Sequence, residues 1–145
     1  MSHRYLVPSL IAAFSVMSCR GEVPPLRGAV LAYEPTVVEL SGTLTLEQHY
    51  GPPNFGENPQ TDEKLQVPVL ALAAPISVPA DTTSELNRTP VSDVRRVQLS
   101  YFDDSISINR FINTRVVVTG TLSHAISGQD FTDIVLHVQS LHGAR

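Results

Sequence analysis

The sequence predicts an all-β domain, and two observations carry that prediction. Segments in which apolar and polar residues alternate recur from about residue 36 onward, which is the pattern of half-buried strands. A short glycine-bearing motif also occurs twice, as Ser-Gly-Thr-Leu at residues 41–44 and as Thr-Gly-Thr-Leu at residues 119–122. The chain has 145 residues, of which 42% are hydrophobic, so it suits one folded domain with a hydrophobic core.

The first predicted strand and its later copy share one arrangement. Apolar residues occupy every second position of the first copy: Val38, Leu40, Leu44 and Leu46. The second copy repeats this with Val116, Val118, Leu122 and Ile126, while Thr119, Thr121 and Ser123 take the opposite face. Gly42 and Gly120 therefore fall at inward positions, and a glycine inside a strand often marks a bend or a bulge. We expect two long strands that each bend around one small core.

Three further strands complete the expected sheet. They cover residues 67–72, 94–101 and 133–141, and Ser127-Gly128-Gln129-Asp130 supplies the turn that makes the last two strands of the domain a hairpin. Ahead of the fourth strand, Ile108, Phe111 and Ile112 have helical spacing, with Asp103, Asp104 or Ser105 as candidate caps. Five strands with one short helix in that position favour a small Greek-key barrel of the OB type, and a two-sheet β-sandwich is the alternative.

The N-terminus has the features of a bacterial export signal. Arg4 precedes an apolar run from Leu6 to Met17, which is too short for a membrane span, and small residues lead into Cys19. Val16-Met17-Ser18-Cys19 resembles a lipobox, and Cys19 is the only cysteine of the chain, so lipidation is its evident use. Cleavage by ordinary signal peptidase is the alternative. We therefore divide the chain into a signal peptide (residues 1–18), a lipid-anchored tether (19–35) and the β-barrel domain (36–145).

Two segments of the domain resemble an exported bacterial family, the domain of unknown function 4431. They are GTLTLEQHYGPPNFGENPQTDEKLQVPVLALAAPISV and TRVVVTGTLSHAISGQDFTDIVLHVQSL, which span most of residues 36–141. The resemblance implies a secreted or envelope-attached domain and supplies no activity. Family members place histidines in the final hairpin, where this chain has Gln129-Asp130-Phe131-Thr132, so a metal role is not carried over.

No catalytic or cofactor-binding motif appears in the sequence, so we assign no catalytic residue, metal or cofactor. His124 and His137 are predicted to point to different sides of the sheet, which argues against a shared metal site. The formal net charge of -4, with Lys64 as the single lysine, argues against a nucleic-acid partner.

The long loop that follows the first strand is the predicted binding site. In an OB-type barrel this loop flanks the usual ligand face. The candidate partner-binding residues are Tyr50, Pro52, Pro53, Asn54, Phe55 and Asp62. The alternative is a rigid turn in which Tyr50 and Phe55 only cover the end of the barrel.

We accordingly expect a noncatalytic envelope lipoprotein that binds a protein or glycan partner, with immunity proteins as one plausible class. Its lipid anchor would hold it to the outer membrane, facing the periplasm, because Arg20 lacks the acidic character of an inner-membrane retention signal. The alternative is a small periplasmic hydrolase or metal-dependent enzyme.

Overall fold

Six β-strands in the described part of the chain join one mixed sheet. The structure, a computed structural model, describes residues 28–101 and 107–144. The strands are β1 (Ala29–Val30), β2 (Val37–Tyr50), β3 (Lys64–Val78), β4 (Val91–Ser100), β5 (Arg115–His124) and β6 (Ile134–Gly143). One 3-10 turn, Asn109–Phe111, precedes β5. The prediction of an all-β fold is confirmed. Within the described ranges, no helix has the length and apolar character needed to cross a bilayer.

Five of these strands pair in a closed ring of hydrogen-bonded ladders. The order runs β3-β2-β5-β6-β4, and β4 pairs with β3 again, while β1 lies beside β3. The β4–β6 and β1–β3 ladders are parallel, and the other ladders are antiparallel. This ring, with its parallel closure between β4 and β6, is consistent with the predicted small barrel.

The core lies inside the ring and follows the predicted alternation. Its fully buried side chains include Leu44, Leu70, Val97, Val116, Val118, Leu122, Ile134 and Leu136. Ile126, which was expected on the inward face of the fourth strand, is 63% exposed. That expectation was wrong because β5 ends at His124, so the alternation does not extend to residue 126.

Gly42 and Gly120 are both buried, and each lies where a neighbouring strand comes unusually close. A Cβ built on Gly42 would lie 2.9 Å from the carbonyl carbon of Ala71 and 3.1 Å from Leu70 Cγ. A Cβ built on Gly120 would meet the same two kinds of group, 2.9 Å from the carbonyl carbon of His137 and 3.2 Å from Leu136 Cδ1. Both copies of the motif thus need glycine for the same reason, because neither site has room for a side chain.

The folded body begins earlier than the sequence suggested. Ala29 and Val30 pair with Ile76 and Ser77 of β3, and Tyr33 is only 3% exposed. The Tyr33 hydroxyl donates a 2.8 Å hydrogen bond to the carbonyl oxygen of Thr89. These contacts lie on the N-terminal side of the predicted boundary at residues 35 and 36. The sequence did not indicate them, since a two-residue strand and an isolated buried tyrosine carry no periodicity.

The short helix predicted before β5 is a single 3-10 turn. Ile108 stands at its N-cap position without a side-chain capping bond. The proposed caps Asp103, Asp104 and Ser105 lie outside the described residues, as do the predicted signal peptide and Cys19.

Candidate functional site

The β2–β3 loop, residues 51–63, is built around the carboxylate of Asp62. Asp62 Oδ1 accepts hydrogen bonds from the backbone N–H and the side-chain amide of Asn54, each 3.0 Å long. Its Oδ2 accepts bonds from the backbone N–H groups of Gly56 at 2.8 Å and Asn58 at 3.1 Å. Asp62 itself is 6% exposed. A single buried acid thereby fixes the path of the loop, because it satisfies three backbone donors that have no ladder partner.

These hydrogen bonds also set the protonation of Asp62. Burial alone would raise the pKa of this carboxyl group, but the hydrogen bonds from Gly56, Asn54 and Asn58 outweigh burial and lower it. Asp62 was predicted to contact a partner, and that contact stays a prediction. In the folded protein its oxygens bind groups of the loop itself, so Asp62 holds the loop in shape.

Phe55 is the exposed apolar point of the loop. Its side chain is half exposed, at 50%, and its backbone has a positive φ of 49°. The ring lies beside the β5–β6 loop, where a Cβ built on Gly128 would be 3.6 Å from it. Pro52, Pro53 and Asn54 are exposed on the same loop, whereas Tyr50 is half-buried at the end of β2 and lies beside Gly56. The structure therefore leaves the loop's largest apolar side chain facing solvent on a fixed backbone.

The β5–β6 loop, residues 125–133, is tied to β4 by Gln98. The Gln98 side chain accepts a 2.8 Å bond from the backbone N–H of Phe131 and donates a 3.1 Å bond to the carbonyl oxygen of Gln129. The backbone N–H of Gln98 donates to the hydroxyl of Thr132. The loop thus has a fixed position at the edge of the ring.

Phe131 stacks on His49 of β2, with ring centroids 4.2 Å apart and planes inclined by 20°. His49 also contacts Glu47 at 3.4 Å, and Glu47 forms a two-point ion pair with Arg96 of β4. Burial by itself would raise the pKa of Glu47, but Arg96 and then His49 lower it. We call the surface formed by Phe55, Phe131, His49, Glu47 and Arg96 the aromatic surface.

The sequence did not reveal most of the aromatic surface. Phe131 and His49 were present in the segments that carried the family resemblance, but neither was selected as a site residue. Only the meeting of the two loops at Phe55 and Gly128 shows that they belong together. In an OB-type barrel the loop after the fourth strand also flanks the ligand face, and this was the signal that could have identified them.

The structure also contains a cleft of 260 Å³. Leu86 and Ile126 line it from two loops. The other lining residues are Glu34, Ser100, Ser123, His124, Ser127, Asp130, Val135 and His137. His124 and His137 both contribute to this lining. His124 is the last residue of β5, where the strand leaves the ring and parity no longer fixes a side chain.

Ser123 and His137 share a 2.9 Å hydrogen bond between Oγ and Nε2 in this cleft. Asp130 lines the same cleft, but its Oδ2 accepts the backbone N–H groups of Ile126 and Ser127 and closes the predicted turn. The backbone N–H groups of His124 and Ala125, which follow Ser123, donate to Asn87 and Asp133. They are therefore not available as donors to a developing oxyanion.

The described residues contain no group of three or more metal-ligating side chains close enough to hold a metal ion. This statement covers residues 28–101 and 107–144 and does not extend to Cys19, Asp103 or Asp104.

Comparison with known proteins gives a family and no activity. A search of curated proteins returned no match for the chain. The family model for a domain of unknown function, DUF4431, matches residues 96–142. That match contains the whole second segment on which the resemblance was based, together with the end of β4, β5 and most of β6. The β2–β3 loop lies outside it. The chain is thus similar to the DUF4431 family over residues 96–142.

Proposed function

We propose that this protein is a noncatalytic lipoprotein of the bacterial cell envelope that binds a protein or glycan partner through the aromatic surface. The observation that carries the proposal is Phe55, a half-exposed aromatic residue on a loop whose backbone is fixed by the buried Asp62. Immunity proteins that neutralise periplasmic effectors are one class that would act in this way.

A rigid aromatic loop supports binding for an energetic reason. Ordering a mobile loop or side chain on association costs free energy, and a loop already held by internal hydrogen bonds avoids most of that cost. Aromatic and arginine side chains are also enriched among residues that dominate binding energy. The aromatic surface contains both kinds, Phe55 and Phe131 with Arg96.

The binding test is capture of a partner from envelope extracts by the mature domain, followed by mass spectrometry, with a glycan array as the second arm. Phe55→Ala should reduce capture at least tenfold, because a central aromatic contact is commonly worth about 2 kcal/mol or more. Alanine and phenylalanine pay a similar backbone cost at a positive φ, so the loop should keep its shape.

Val37→Ala is the matched control, since Val37 is 53% exposed on β2 and stands outside the aromatic surface. Capture that survives Phe55→Ala unchanged, or that falls equally with Val37→Ala, would contradict the proposed surface.

The envelope location rests on Cys19 and needs its own experiment. Metabolic labelling with a clickable fatty acid should mark the wild-type protein and leave Cys19→Ser unlabelled. Fractionation should then find the lipidated protein in outer membranes. An unlabelled wild type would remove the lipid anchor from the proposal, and recovery in inner membranes alone would remove the outer-membrane placement.

The alternative function is a small periplasmic hydrolase, and the Ser123–His137 hydrogen bond is the observation that favours it. Against it, Ser123 is only 9% exposed and the adjacent backbone donors are engaged. A fluorophosphonate probe separates the two functions. Labelling that disappears in Ser123→Ala would favour the hydrolase, whereas we expect no labelling at this serine.

A further inference from the structure

The cleft beside Ser123 and His137 has an apolar character that the proposed function does not use. Val135 contributes a buried side chain to its lining, at 3% exposure, although Val135 alternates with the core residues Ile134 and Leu136. Leu86 and Ile126 enter from two different loops and remain 55% and 63% exposed. Large apolar side chains exposed around one concavity are typical of a surface that receives an apolar group.

The loop that carries Leu86 is anchored to the ring. Asn87 is 1% exposed, and its side-chain oxygen accepts a 2.9 Å hydrogen bond from the backbone N–H of His124. Its carbonyl oxygen accepts a second bond, of 2.8 Å, from Asp81. The rim of the cleft is therefore preorganised, which reduces the entropy lost when a ligand enters.

The cleft has acidic groups at its edge. Glu34 and Asp130 both contribute to the lining, together with His124 and His137, and none of the described lining residues is an arginine or a lysine. Burial would raise the pKa of Asp130, but hydrogen bonds from Ile126 and Ser127 lower it, so the group carries its negative charge at neutral pH. An occupant that complements this cleft is apolar along its length and positive at one end.

The volume and the carboxylate geometry narrow the choice of occupant. Pockets that enclose drug-sized ligands measure about 300–1,000 Å³, so a cleft of 260 Å³ suits a single side chain. A guanidinium group prefers two carboxylate oxygens in a planar fork. Oδ2 of Asp130 already accepts two backbone N–H groups, and the Ser127 side chain also hydrogen-bonds to this carboxylate. Asp130 therefore does not offer two open oxygens to a guanidinium group, which favours the point charge of an ammonium.

We propose that this cleft binds the lysine side chain of a partner polypeptide, with the aliphatic stem between Leu86 and Ile126 and the ammonium group at Glu34 and Asp130. Lysine matches this combination because its stem buries on apolar surface while its charged head meets acidic groups. The lining of the cleft shares no residue with the aromatic surface, although both include part of the β5–β6 loop. A test with a free lysine probe therefore does not depend on the proposed function.

The test uses three blocked amino acids that differ at one end of the side chain. Nα-acetyl-lysine N-methylamide is compared with its norleucine counterpart, which lacks the amine, and with the Nε-acetylated form, which lacks the charge. Binding is followed through amide chemical shifts of the full mature domain. We expect the lysine probe to bind about tenfold more tightly than either uncharged probe, with the largest shifts at Ile126, Ser127 and Val135.

Variants then separate charge from packing. Glu34→Gln should weaken the lysine probe several-fold and leave the norleucine probe unchanged, while Leu86→Ala should weaken both. Glu57→Gln removes an equally exposed acid from the β2–β3 loop and should change neither. Each of these residues is exposed, so the variants are expected to fold normally.

Three results would overturn the proposal. The first is norleucine binding as tight as lysine binding, which would make the cleft a purely apolar site. The second is tighter binding of the corresponding arginine probe. The third is a set of shifts located away from Ile126, Ser127 and Val135.

Discussion

Replacing Gly120 with alanine should destabilise the domain strongly, although alanine adds only one methyl group. The new Cβ would lie closer to the carbonyl oxygen of His137 than real Cβ atoms come to any atom, and 2.9 Å from the carbonyl carbon. Both atoms are backbone, so a side-chain rotation cannot relieve the contact. Strands β5 and β6 would have to separate next to the register shift that already lies between Thr119 and Gly120.

The magnitude follows from two costs. Overpacking a well-filled site costs about 1–3 kcal/mol. Loss of a ladder hydrogen bond as the strands move apart adds about 0.5–1.5 kcal/mol. Together they predict a loss of roughly 2–4 kcal/mol, which corresponds to a fall in Tm of roughly 10 °C for a domain of this size.

Chemical denaturation followed by circular dichroism measures this loss, with two controls. Gly128→Ala places its Cβ in ordinary contact with Phe55, at 3.6 Å, and should be nearly neutral. Thr121→Val lies on the opposite face of β5 and should also be nearly neutral. If Gly120→Ala unfolds within about 0.5 kcal/mol of the wild type, close strand approach is not the reason for the repeated glycine motif.

Three further perturbations test the loops. Asn87→Ala leaves the backbone N–H of His124 without its acceptor and should lower the free energy of unfolding, measured by denaturation, by about 1–3 kcal/mol. Thr83→Ala, at an exposed position, should change it by less than about 0.5 kcal/mol. An unchanged stability of Asn87→Ala would contradict the anchoring role. Because the pKa of Asp62 is lowered in the folded protein, its stabilising effect is complete above the ordinary value of 3.8 and is lost as the pH falls through the lower folded value. Amide shifts of Asn54, Gly56 and Asn58 should therefore move together in acid, and separate transitions would argue against one controlling carboxylate. Gln98→Ala should speed hydrogen exchange at Phe131, while unchanged exchange would show that Gln98 does not hold the β5–β6 loop.

The alternation of apolar and polar residues predicted those parts of the fold in which the alternation is present. The alternation at Val38, Leu40 and Leu44 correctly placed the inward face of β2, and Gly42 and Gly120 were correctly placed at inward, buried positions. The turn closed by Asp130 could also be predicted from the sequence, because the aspartate binds backbone N–H groups only a few residues away.

Contacts between segments that lie far apart in the sequence could not be predicted from such local patterns. The stack of His49 on Phe131 joins β2 to a loop more than eighty positions later, and no local pattern encodes it. The role of Asp62 within the loop was not predicted, because three of its four hydrogen-bond donors are backbone groups, which almost every residue carries. The place of His124 in the cleft was not predicted, because His124 is the last residue of β5 and the cleft also includes loop residues.

The closed ring of strands also has a consequence for the rate at which the chain folds. The β2–β3 hairpin pairs Tyr50 with Lys64, but the β2–β5 ladder pairs Val38 with Gly120 and must bring together segments far apart in the chain. Such closure spends chain entropy before it gains contacts, which makes nonlocal β topologies fold in about milliseconds to seconds. Stopped-flow refolding should fall in that interval, with hairpin variants such as Leu46→Ala slowing folding more than ladder variants such as Val38→Ala. Refolding complete within microseconds would mean that the ring closes by a route other than this late, long-range pairing.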